Sequence, residues 1–340
     1  MMPVHHMASR TLFIGRTSSS RSLCSAFSRT VEEEPVVSLS NGTVKRLVKL
    51  RSSASARSSQ RAFVLVGMDL LQEAAGGLGG RLHARTLFVP LGATHSQPSW
   101  LTADRVIEAT EPVLKKLTGL ENVSGVDVVA ELDQPPRQDL LSAHWGVQQQ
   151  AAQHEQQDAP ATRPLSRLLA LDRVQDPGNM GTLLRSALGF GWDAVFLLPG
   201  CCDPLNPKCV RASRGAVLRM PIAEGSLADL SQVTKLHGLA LVAAEPQRAA
   251  ARPRSTSRPV PLGVCLVLGS EGQGLSPEVR QVCQDVSLAV PMAGSLESLN
   301  VGVAGSVLMF ALSPGGSASM GAQLKGLQLD SLTADNGSDV

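Results

Sequence analysis

The chain has no tyrosine, and aromatic residues make up only 3% of its 340 residues. A protein that binds single-stranded nucleic acid by stacking bases on aromatic side chains would need more of them. Any contact with a nucleic acid must therefore depend on Arg, Lys and backbone groups. Hydrophobic residues at 43% and charged residues at 18% are ordinary for a globular protein. The length suffices for two domains with tails, at roughly 100–200 residues per domain.

Motifs of several common enzyme folds are also missing. No G-x-x-x-x-G-K-[ST] run is present, which excludes a P-loop, and no G-x-S-x-G elbow of a hydrolase is present. The glycine-rich stretch Gly269–Gly274 is not a G-x-G-x-x-G motif and does not open a long helix. No glycine-rich loop follows the first strand of this region in the way that an ordinary Rossmann fold requires. A nucleotide cofactor must therefore be held in another way.

Patterns for metal binding and membrane spanning are absent from the sequence as well. The six cysteines form no C-x-x-C pair, and Cys201, Cys202 and Cys209 do not have the spacing of a zinc site. We therefore expect reduced thiols and no metal. The apolar stretch Leu299–Leu312 ends ahead of Pro314. It is shorter than the roughly 20 residues that a bilayer needs, so it predicts a buried helix and no membrane contact.

Residues 1–30 contain no acidic residue, many Ser and Thr, and the arginines Arg10, Arg16, Arg21 and Arg29. A positive, acid-free arm that can form an amphipathic helix is typical of an organellar transit peptide. We predict that residues 1–37 direct the protein to a mitochondrion or a chloroplast. A disordered start with the same composition is the alternative. A secretory signal is disfavoured, because no apolar region follows the first charges.

Residues 38–135 predict a small α/β domain. Strands are predicted at Ala62–Val66, Thr86–Val89 and Asp127–Glu131, and helices at Asp69–Ala75 and Ala103–Thr110. Ahead of them, an acid-free segment carries the basic residues Lys45, Arg46, Lys49, Arg51, Arg57 and Arg61. These charges fit a phosphate-facing helix, and they fit a solvated helix face equally well. Residues 136–164, rich in Gln, Pro, Ala and His, predict a linker.

Residues 165–315 predict a second α/β domain, and residues 316–340 a disordered tail. Its apolar, β-prone runs are Leu168–Val174, Ala194–Leu198, Leu239–Ala243, Val264–Leu268 and Val286–Val290. Helical patterns lie between or after them, at Gly181–Leu188, Pro207–Ser213, Pro277–Cys283 and Leu299–Leu312. Such alternation predicts a mostly parallel sheet that is covered by helices on both faces.

Three polar, glycine-containing loops follow strands of this second domain. They are Asp176–Arg185, with Asn179 as a candidate N-cap, Leu268–Ser276, with three glycines around Glu271, and Val290–Asn300. Ligands of open α/β sheets bind at the carboxyl ends of strands, so the three loops are expected to meet at one site. Each loop alone also fits a simple tight turn. Arg185 alone also fits an ordinary surface position on a helix.

Taken together, the three loops resemble, in order and spacing, the three motifs of the SpoU RNA methyltransferases of the trefoil-knotted SPOUT superfamily. The matching runs are Asn179-x-Gly181-x-x-x-Arg185, Leu268-Gly-Ser-Glu-Gly-x-Gly-Leu275 and Pro291-Met-x-Gly-x-x-x-Ser298-Leu-Asn300-Val. The stretch Asp203-Pro-x-Asn-Pro-Lys-x-x-Arg-Ala-Ser213 is similar to the branch that modifies ribosomal RNA. This resemblance covers about residues 165–312. The first domain resembles, more weakly, the ribosomal-protein-L30-like domain that binds substrate, with Val66 in place of its usual Glu.

The resemblance implies a deeply knotted C-terminal domain, a homodimer, and S-adenosylmethionine as cofactor. The residues implied for the cofactor are Gly269, Val290, Leu299, Leu268, Gly274 and Met292. Those implied for catalysis are Arg185, which has the central role, with Asn179, Glu271, Ser298 and Asn300 orienting groups around it. Those implied for RNA binding are Lys45, Arg46, Arg57 and Arg211. Many relatives carry Ser or Ala where this chain has Gly302.

The function that follows is S-adenosylmethionine-dependent 2′-O-methylation of ribose, with guanosine in organellar large-subunit ribosomal RNA as the expected target. Transfer RNA is the alternative substrate. A non-catalytic RNA-binding protein for ribosome assembly, with the same fold, is the alternative of another class. Such a protein would usually lose Asn179, Arg185, Glu271 or Asn300, and all four are present.

Overall fold

Two β-sheets follow each other along the chain. The computed structural model describes residues 34–76, 79–92, 97–141, 165–246, 263–283, 286–293 and 298–313. The predicted transit segment up to residue 33, residues 142–164 of the predicted linker and the predicted tail from residue 316 lie outside these ranges.

The N-terminal domain contains a four-stranded sheet. Its elements are α1 (Gly42–Ser52), α2 (Ala54–Gln60), β1 (Ala62–Val66), α3 (Met68–Gly76), β2 (Leu82–Pro90), β3 (Leu101–Ala109), α4 (Glu111–Thr118) and β4 (Val129–Asp133). The strand order is β1-β4-β2-β3. Strand β4 runs antiparallel to β1 and β2, whereas β2 and β3 are parallel. The predicted strands at 62–66, 86–89 and 127–131 and the predicted helix at 69–75 are therefore present, with small shifts of their ends.

The helix predicted at Ala103–Thr110 is wrong, because this segment is strand β3. Its apolar residues Ala103, Val106 and Ile107 have helical spacing, which explains the prediction. The segment instead pairs with β2, from Leu82 opposite Leu101 to Pro90 opposite Ala109. Pairing with a neighbouring strand is a tertiary interaction that local spacing does not encode.

The C-terminal domain contains a six-stranded sheet in which all the strand pairs of the described part are parallel. The strand order is β10-β8-β9-β5-β6-β7. Its strands are β5 (Arg167–Leu171), β6 (Ala194–Leu197), β7 (Ile222–Glu224), β8 (Leu239–Ala244), β9 (Gly263–Leu268) and β10 (Ser287–Leu288). Its α-helices are α5 (Pro177–Gly189), α6 (Pro207–Ala212), α7 (Leu227–Leu236), α8 (Pro277–Val282) and α9 (Val301–Ala311).

The prediction of an α/β fold with a mostly parallel sheet is confirmed. All five strands predicted for the C-terminal domain are present. Four of them, β5, β6, β8 and β9, are interior strands, which are apolar in a parallel sheet and easy to recognise, whereas β10 is a two-residue edge strand. Strand β7 and helix α7 were not predicted. Strand β7 has only three residues, and such a short segment leaves no periodic pattern.

The two sheets share one buried cluster. Phe63 and Leu65 of β1 belong to the same hydrophobic cluster as Leu169 of β5 and Met180 of α5. The backbone around Gly215, which follows α6, also approaches α3, so that a side chain added at Gly215 would contact Leu70 and Ala74. Burial of a common apolar surface therefore holds the N-terminal domain against the C-terminal domain.

Helix α9 is only partly buried. Gly305 lies so close to Leu183 and Leu268 that a side chain there would collide with both, which packs α9 on α5 and β9. On the opposite side, Val303 and Val307 are 50% and 44% exposed. The expectation of a buried apolar helix is therefore met on one face, and the other face presents an apolar surface to solvent. Within the described ranges no helix has the length and apolar composition for crossing a bilayer.

Candidate functional site

The described parts of the three predicted loops lie at one edge of the six-stranded sheet. The first predicted loop is not a loop in the structure, because its residues from Pro177 onward form helix α5, and the third is described at 290–293 and 298–300. The three segments follow β5, β9 and β10, and since all the described strand pairs of this sheet are parallel, the carboxyl ends of these strands share that edge. Open parallel sheets bind ligands at this edge. The sheet topology therefore supplies a single place where the three loops meet.

The amide of Asn179 joins all three loops. Its Nδ2 donates to Oε1 of Glu271 in the second loop. Its Oδ1 accepts a hydrogen bond of 3.0 Å from Nδ2 of Asn300 at the end of the third loop. The structure thus brings together Asn179, Glu271 and Asn300, which the sequence placed in separate motifs. We call this cluster the amide junction.

Local structure fixes each member of the amide junction. Asn300 is the N-cap of α9, and its Oδ1 accepts hydrogen bonds from the backbone N–H groups of Gly302 at 3.0 Å and Val303 at 3.3 Å. This leaves the Asn300 side-chain N–H group to donate to Asn179. A side chain at position 302 would lie 3.3 Å from Oδ1 of Asn179. Gly302 therefore keeps the space beside the junction free.

Asp176, not Asn179, is the N-cap of α5. Its Oδ1 accepts a hydrogen bond of 2.9 Å from the backbone N–H of Asn179, and Lys208 Nζ lies 3.2 Å from its Oδ2. The prediction of Asn179 as the N-cap is wrong, since Asn179 stands three residues into the helix and its side chain is used in the junction. The sequence held the correct signal, because an N-cap Asp followed by Pro at the first helical position is a preferred start.

Replacing Asp176 by alanine is expected to cost about 1 kcal/mol of stability, the usual loss for a helix N-cap. The hydrogen bonds from the Asn179 backbone and from Lys208 lower the pKa of Asp176. A lowered pKa means that the contribution is present above the carboxyl's ordinary range, roughly pH 4, and is lost as the pH falls through the folded-state value. Urea unfolding at neutral and acidic pH checks this. An Asp176→Ala difference that grows on acidification would contradict the assignment.

The second loop is a tight turn closed by its own backbone. Ser270 and Gly274 exchange two hydrogen bonds, of 3.1 and 2.9 Å, and Gly274 has a left-handed φ of +66°. A side chain at Gly269 would collide with the backbone of Gly274 and Leu275. Glycine is therefore required at position 269, and the turn presents Glu271 at its exposed tip.

Two residues that support this turn were not predicted. Asp172, which is 3% exposed, follows β5 and accepts a hydrogen bond of 2.6 Å from the backbone N–H of Ser276. Arg173 has a left-handed φ of +55°, and its Nη1 donates to Oε1 of Gln273 at 3.3 Å. Both contacts join residues about a hundred positions apart in the chain, so no local sequence pattern indicates them.

The remaining candidate residues are not members of the junction. Arg185 lies on α5, is exposed, and forms no side-chain hydrogen bond or ion pair with any residue that the structure describes. Ser298 is exposed two residues ahead of Asn300. Of the residues implied for the cofactor, two are buried and four are half-buried. The buried ones are Leu268 and Gly269, and the half-buried ones are Gly274, Val290, Met292 and Leu299.

Burial raises the thiol pKa of all five cysteines that the structure describes. Cys201, Cys202, Cys209, Cys265 and Cys283 form no disulfide. Burial raises the pKa of Cys202 to about 12, so its thiol stays protonated at neutral pH. Over the residues that the structure describes, no group of three or more His, Cys, Asp or Glu side chains is arranged to hold a metal ion.

The basic residues predicted to bind RNA differ in their surroundings. Lys45 on α1 and Arg211 on α6 are exposed. Arg46 forms a bidentate ion pair with Glu131, at 2.5 and 2.7 Å, so its charge is compensated within the N-terminal domain. The prediction for Arg57 is wrong, because this residue is 2% exposed and each of its three guanidinium nitrogens contacts a group inside the protein.

The Glu131 carboxylate is the buried member of its pair, at 1% exposure. We expect Glu131→Gln, which keeps the shape and removes the charge, to lower the unfolding free energy by about 1–3 kcal/mol. The loss stays below that of a fully buried pair because Arg46 is one-third exposed. Asp133→Asn, at a carboxylate that is 63% exposed, is the control and should change stability by about 0.5 kcal/mol or less. Equal effects in urea unfolding would contradict the role of burial.

The C-terminal domain matches a known protein family, and most of the chain is similar to known proteins. The profile of the SpoU rRNA Methylase family matches residues 166–310. An uncharacterized tRNA/rRNA methyltransferase of Synechocystis is 30% identical over 284 residues, which cover 81% of this chain and 92% of the relative. The 23S rRNA guanosine 2′-O-methyltransferase RlmP of Bacillus subtilis is 34% identical over 151 residues, 43% of this chain and 57% of that protein.

A solved structure extends the similarity to both domains. The crystal structure of an AdoMet-bound rRNA methyltransferase from Sinorhizobium meliloti has a TM-score of 0.61 and 25% identity to this chain. The alignment covers 82% of this chain and 96% of that one. The Synechocystis relative and this structure both match well beyond the segment of the family profile, so the similarity includes the N-terminal domain.

Proposed function

Because this chain belongs to the SpoU rRNA methylase family and is an RNA methyltransferase, we propose that it methylates the 2′-hydroxyl of a ribose with S-adenosylmethionine as donor. The observation that carries the proposal is the amide junction. Three loops from different parts of the chain converge on Asn179 at the ligand-binding edge of the sheet.

The residues at this edge fit the donor. Gly269 admits no side chain, because the backbone of Gly274 and Leu275 fills that space, and this close approach fixes the shape of the turn. Gly269, Val290 and Leu299 would hold S-adenosylmethionine largely through backbone groups, with Leu268, Gly274 and Met292 beside them. When bound, S-adenosylmethionine supplies an electrophilic methyl group on a positively charged sulfur.

Arg185 is assigned to the RNA phosphate next to the reacting ribose. Its guanidinium is exposed and has no partner among the described residues, so both of its forked N–H pairs are free to bind an anion. Arginine is a poor base because its pKa normally lies above about 12. We therefore assign removal of the hydroxyl proton to the phosphate that Arg185 binds. Asn179, Glu271, Ser298 and Asn300 orient the reacting groups.

The substrate we propose is a guanosine of organellar large-subunit ribosomal RNA. Two features support ribosomal RNA: the Asn206-Pro-Lys and Arg211-Ala-Ser segments, and the similarity to a 23S rRNA guanosine 2′-O-methyltransferase of Bacillus subtilis. The acid-free, arginine-containing start of the chain supports a mitochondrial or plastid location. Fusion of residues 1–37 to a fluorescent protein tests the location, and a diffuse cytosolic signal would contradict it.

The decisive experiment combines the full chain with labelled S-adenosylmethionine, large-subunit ribosomal RNA and, in parallel, transfer RNA. We expect label in the ribosomal RNA, with the methyl group mapped by mass spectrometry to a ribose 2′-oxygen. A labelled methyl group on a base would contradict the proposed reaction. Label in transfer RNA alone would contradict the proposed substrate. Binding of RNA without any binding of S-adenosylmethionine in calorimetry would show a non-catalytic protein.

We also propose that the chain forms a homodimer through the exposed face of α9. Val303 and Val307 lie one turn apart and are about half exposed, which is unusual for large apolar side chains on a helix. Replacing Val307 by Glu is expected to convert the dimer to a monomer in light scattering, because a buried unpaired carboxylate opposes association. Thr182→Glu adds the same charge at an exposed position of α5 and shows whether a nearby negative charge alone is enough to separate the subunits. A dimer that persists in Val307→Glu would place the interface elsewhere.

A further inference from the structure

The buried guanidinium of Arg57 connects the two domains. Its Nε and Nη2 each lie 2.6 Å from Oδ2 of Asp203 in the C-terminal domain. Its Nη1 donates to the backbone carbonyls of Leu50 at 2.7 Å and Arg51 at 3.0 Å. The charge is therefore neutralised across the domain boundary, while the remaining donors attach it firmly to the end of α1.

The partner carboxylate also shapes the start of α6. Oδ1 of Asp203 accepts a hydrogen bond of 2.9 Å from the backbone N–H of Leu205, and its carbonyl accepts one of 3.0 Å from Asn206. Asn206 is the N-cap of α6, and its side chain accepts from the backbone N–H of Lys208 at 2.9 Å. The group that receives Arg57 thus holds the turn from which α6 begins.

Helix α6 in turn lies directly against the helix of the site. A side chain at Gly181 of α5 would come within 2.6 Å of the Cys209 carbonyl oxygen and 2.8 Å of the Ser213 nitrogen. Backbone meets backbone here, so a displacement of α6 must displace α5. Helix α5 carries Asn179 of the amide junction and Arg185. A continuous series of contacts therefore runs from Arg57 to the site.

We propose that Arg57 and Asp203 are positioning residues that set the register between the N-terminal domain and the site. The resemblance of the N-terminal domain to a substrate-binding domain implies that it binds RNA, and RNA held there then arrives with its target ribose at Arg185. This inference rests on the proposed function. Among the described residues, a second ion pair across the boundary joins Arg214 and Glu73 at 2.7 Å, and its side chains are 47% and 38% exposed. Water and salt weaken such a pair, so it fixes orientation poorly.

The test compares a long and a short substrate that contain the same target nucleotide. The long one is a ribosomal RNA transcript, and the short one is an oligoribonucleotide that reaches the C-terminal domain alone. Asp203→Asn removes the charge and keeps an acceptor for the Leu205 N–H. We expect the ratio of kcat/KM for the long RNA to that for the short one to fall about tenfold, a usual size for coupling between sites. Affinity for S-adenosylmethionine should not change.

Two further variants sharpen this result. Arg57→Lys keeps the positive charge but lacks the parallel N–H donors of the guanidinium. This variant should therefore keep part of the preference for the long RNA over the short one. Glu73→Gln breaks the exposed pair at the same boundary and should leave the preference unchanged. If Asp203→Asn does not fold, the smaller loss of preference in Arg57→Lys is the deciding measurement. Equal fractional losses of kcat/KM on the long and the short RNA would show that the pair has only a structural role. That result would overturn the proposal.

Hydrogen exchange separates this proposal from the proposed function. Asp203→Asn should speed amide exchange in residues 203–213 and in residues 50–57, because the contacts that join these two segments are broken. If the wild-type chain methylates no RNA, the proposed function is wrong. The amide exchange rates alone then test the positioning role of Arg57 and Asp203. Unchanged exchange in both segments would show that Arg57 and Asp203 do not hold the two domains in register.

Discussion

Replacing Arg185 by alanine is expected to lower kcat about 10²–10³-fold, the usual loss when one group that stabilises transition-state charge is removed. Stability should change by about 0.5 kcal/mol or less, because the side chain is exposed and contacts no described partner. Arg185→Lys should recover only part of the rate, since a point charge cannot bind phosphate through two parallel hydrogen bonds. Initial rates with labelled S-adenosylmethionine and thermal unfolding measure the two effects.

A matched control is Arg219→Ala. Arg219 is also exposed and has no side-chain hydrogen bond or ion pair in the described structure, but it follows the short 3₁₀-helix Ala216–Leu218 and lies outside the three loops. Its removal subtracts one positive charge from the surface without touching the site. If both variants lose activity equally, the effect is general electrostatic attraction of RNA. If Arg185→Ala keeps full activity, the assignment of this residue is wrong.

The second large effect is expected for Gly269→Ala. The added methyl group collides with the backbone of Gly274 and Leu275, and backbone cannot move aside as a flexible side chain does. We expect a loss of about 1–3 kcal/mol in stability, the usual cost of overpacking. Affinity for S-adenosylmethionine should fall by about tenfold or more, which corresponds to 1.4 kcal/mol of lost binding free energy. Calorimetric titration of the folded variant measures this affinity.

Gly272→Ala is the control for this change. Gly272 lies in the same turn, has an ordinary φ, and a side chain added there meets nothing within 4 Å. It should therefore bind S-adenosylmethionine as the wild type does. A Gly269→Ala variant that binds the donor normally would show that the tightness of this turn serves packing alone.

Much of the C-terminal fold was predictable because it depends on local signals. Its central strands are continuous apolar runs, and runs such as Val264–Leu268 are the pattern of a strand buried on both faces. The N-terminal domain was less predictable. Strand β3 has a mixed, half-buried sequence, and only its pairing with β2 makes it a strand.

The site, like the fold, could be predicted from the sequence only in part. Asn179, Glu271 and Asn300 were named from motif patterns, and the structure places them in contact. Their roles in catalysis and those of Arg185 and Ser298 remain predictions. Arg57 was misassigned because a run of basic residues does not show which of them is buried. Its partner Asp203 is 146 positions away, and no local rule connects the two.

The amide junction also has a consequence for how the protein becomes active. Its two hydrogen bonds join residues 92 and 121 positions apart, so the junction closes only after α9 has docked. Contacts of such long range carry a large loop-closure entropy and form slowly. During refolding from urea, helical signal should therefore return before donor binding does. A chain still emerging from the ribosome without α9 lacks the Asn300 hydrogen bond of the junction.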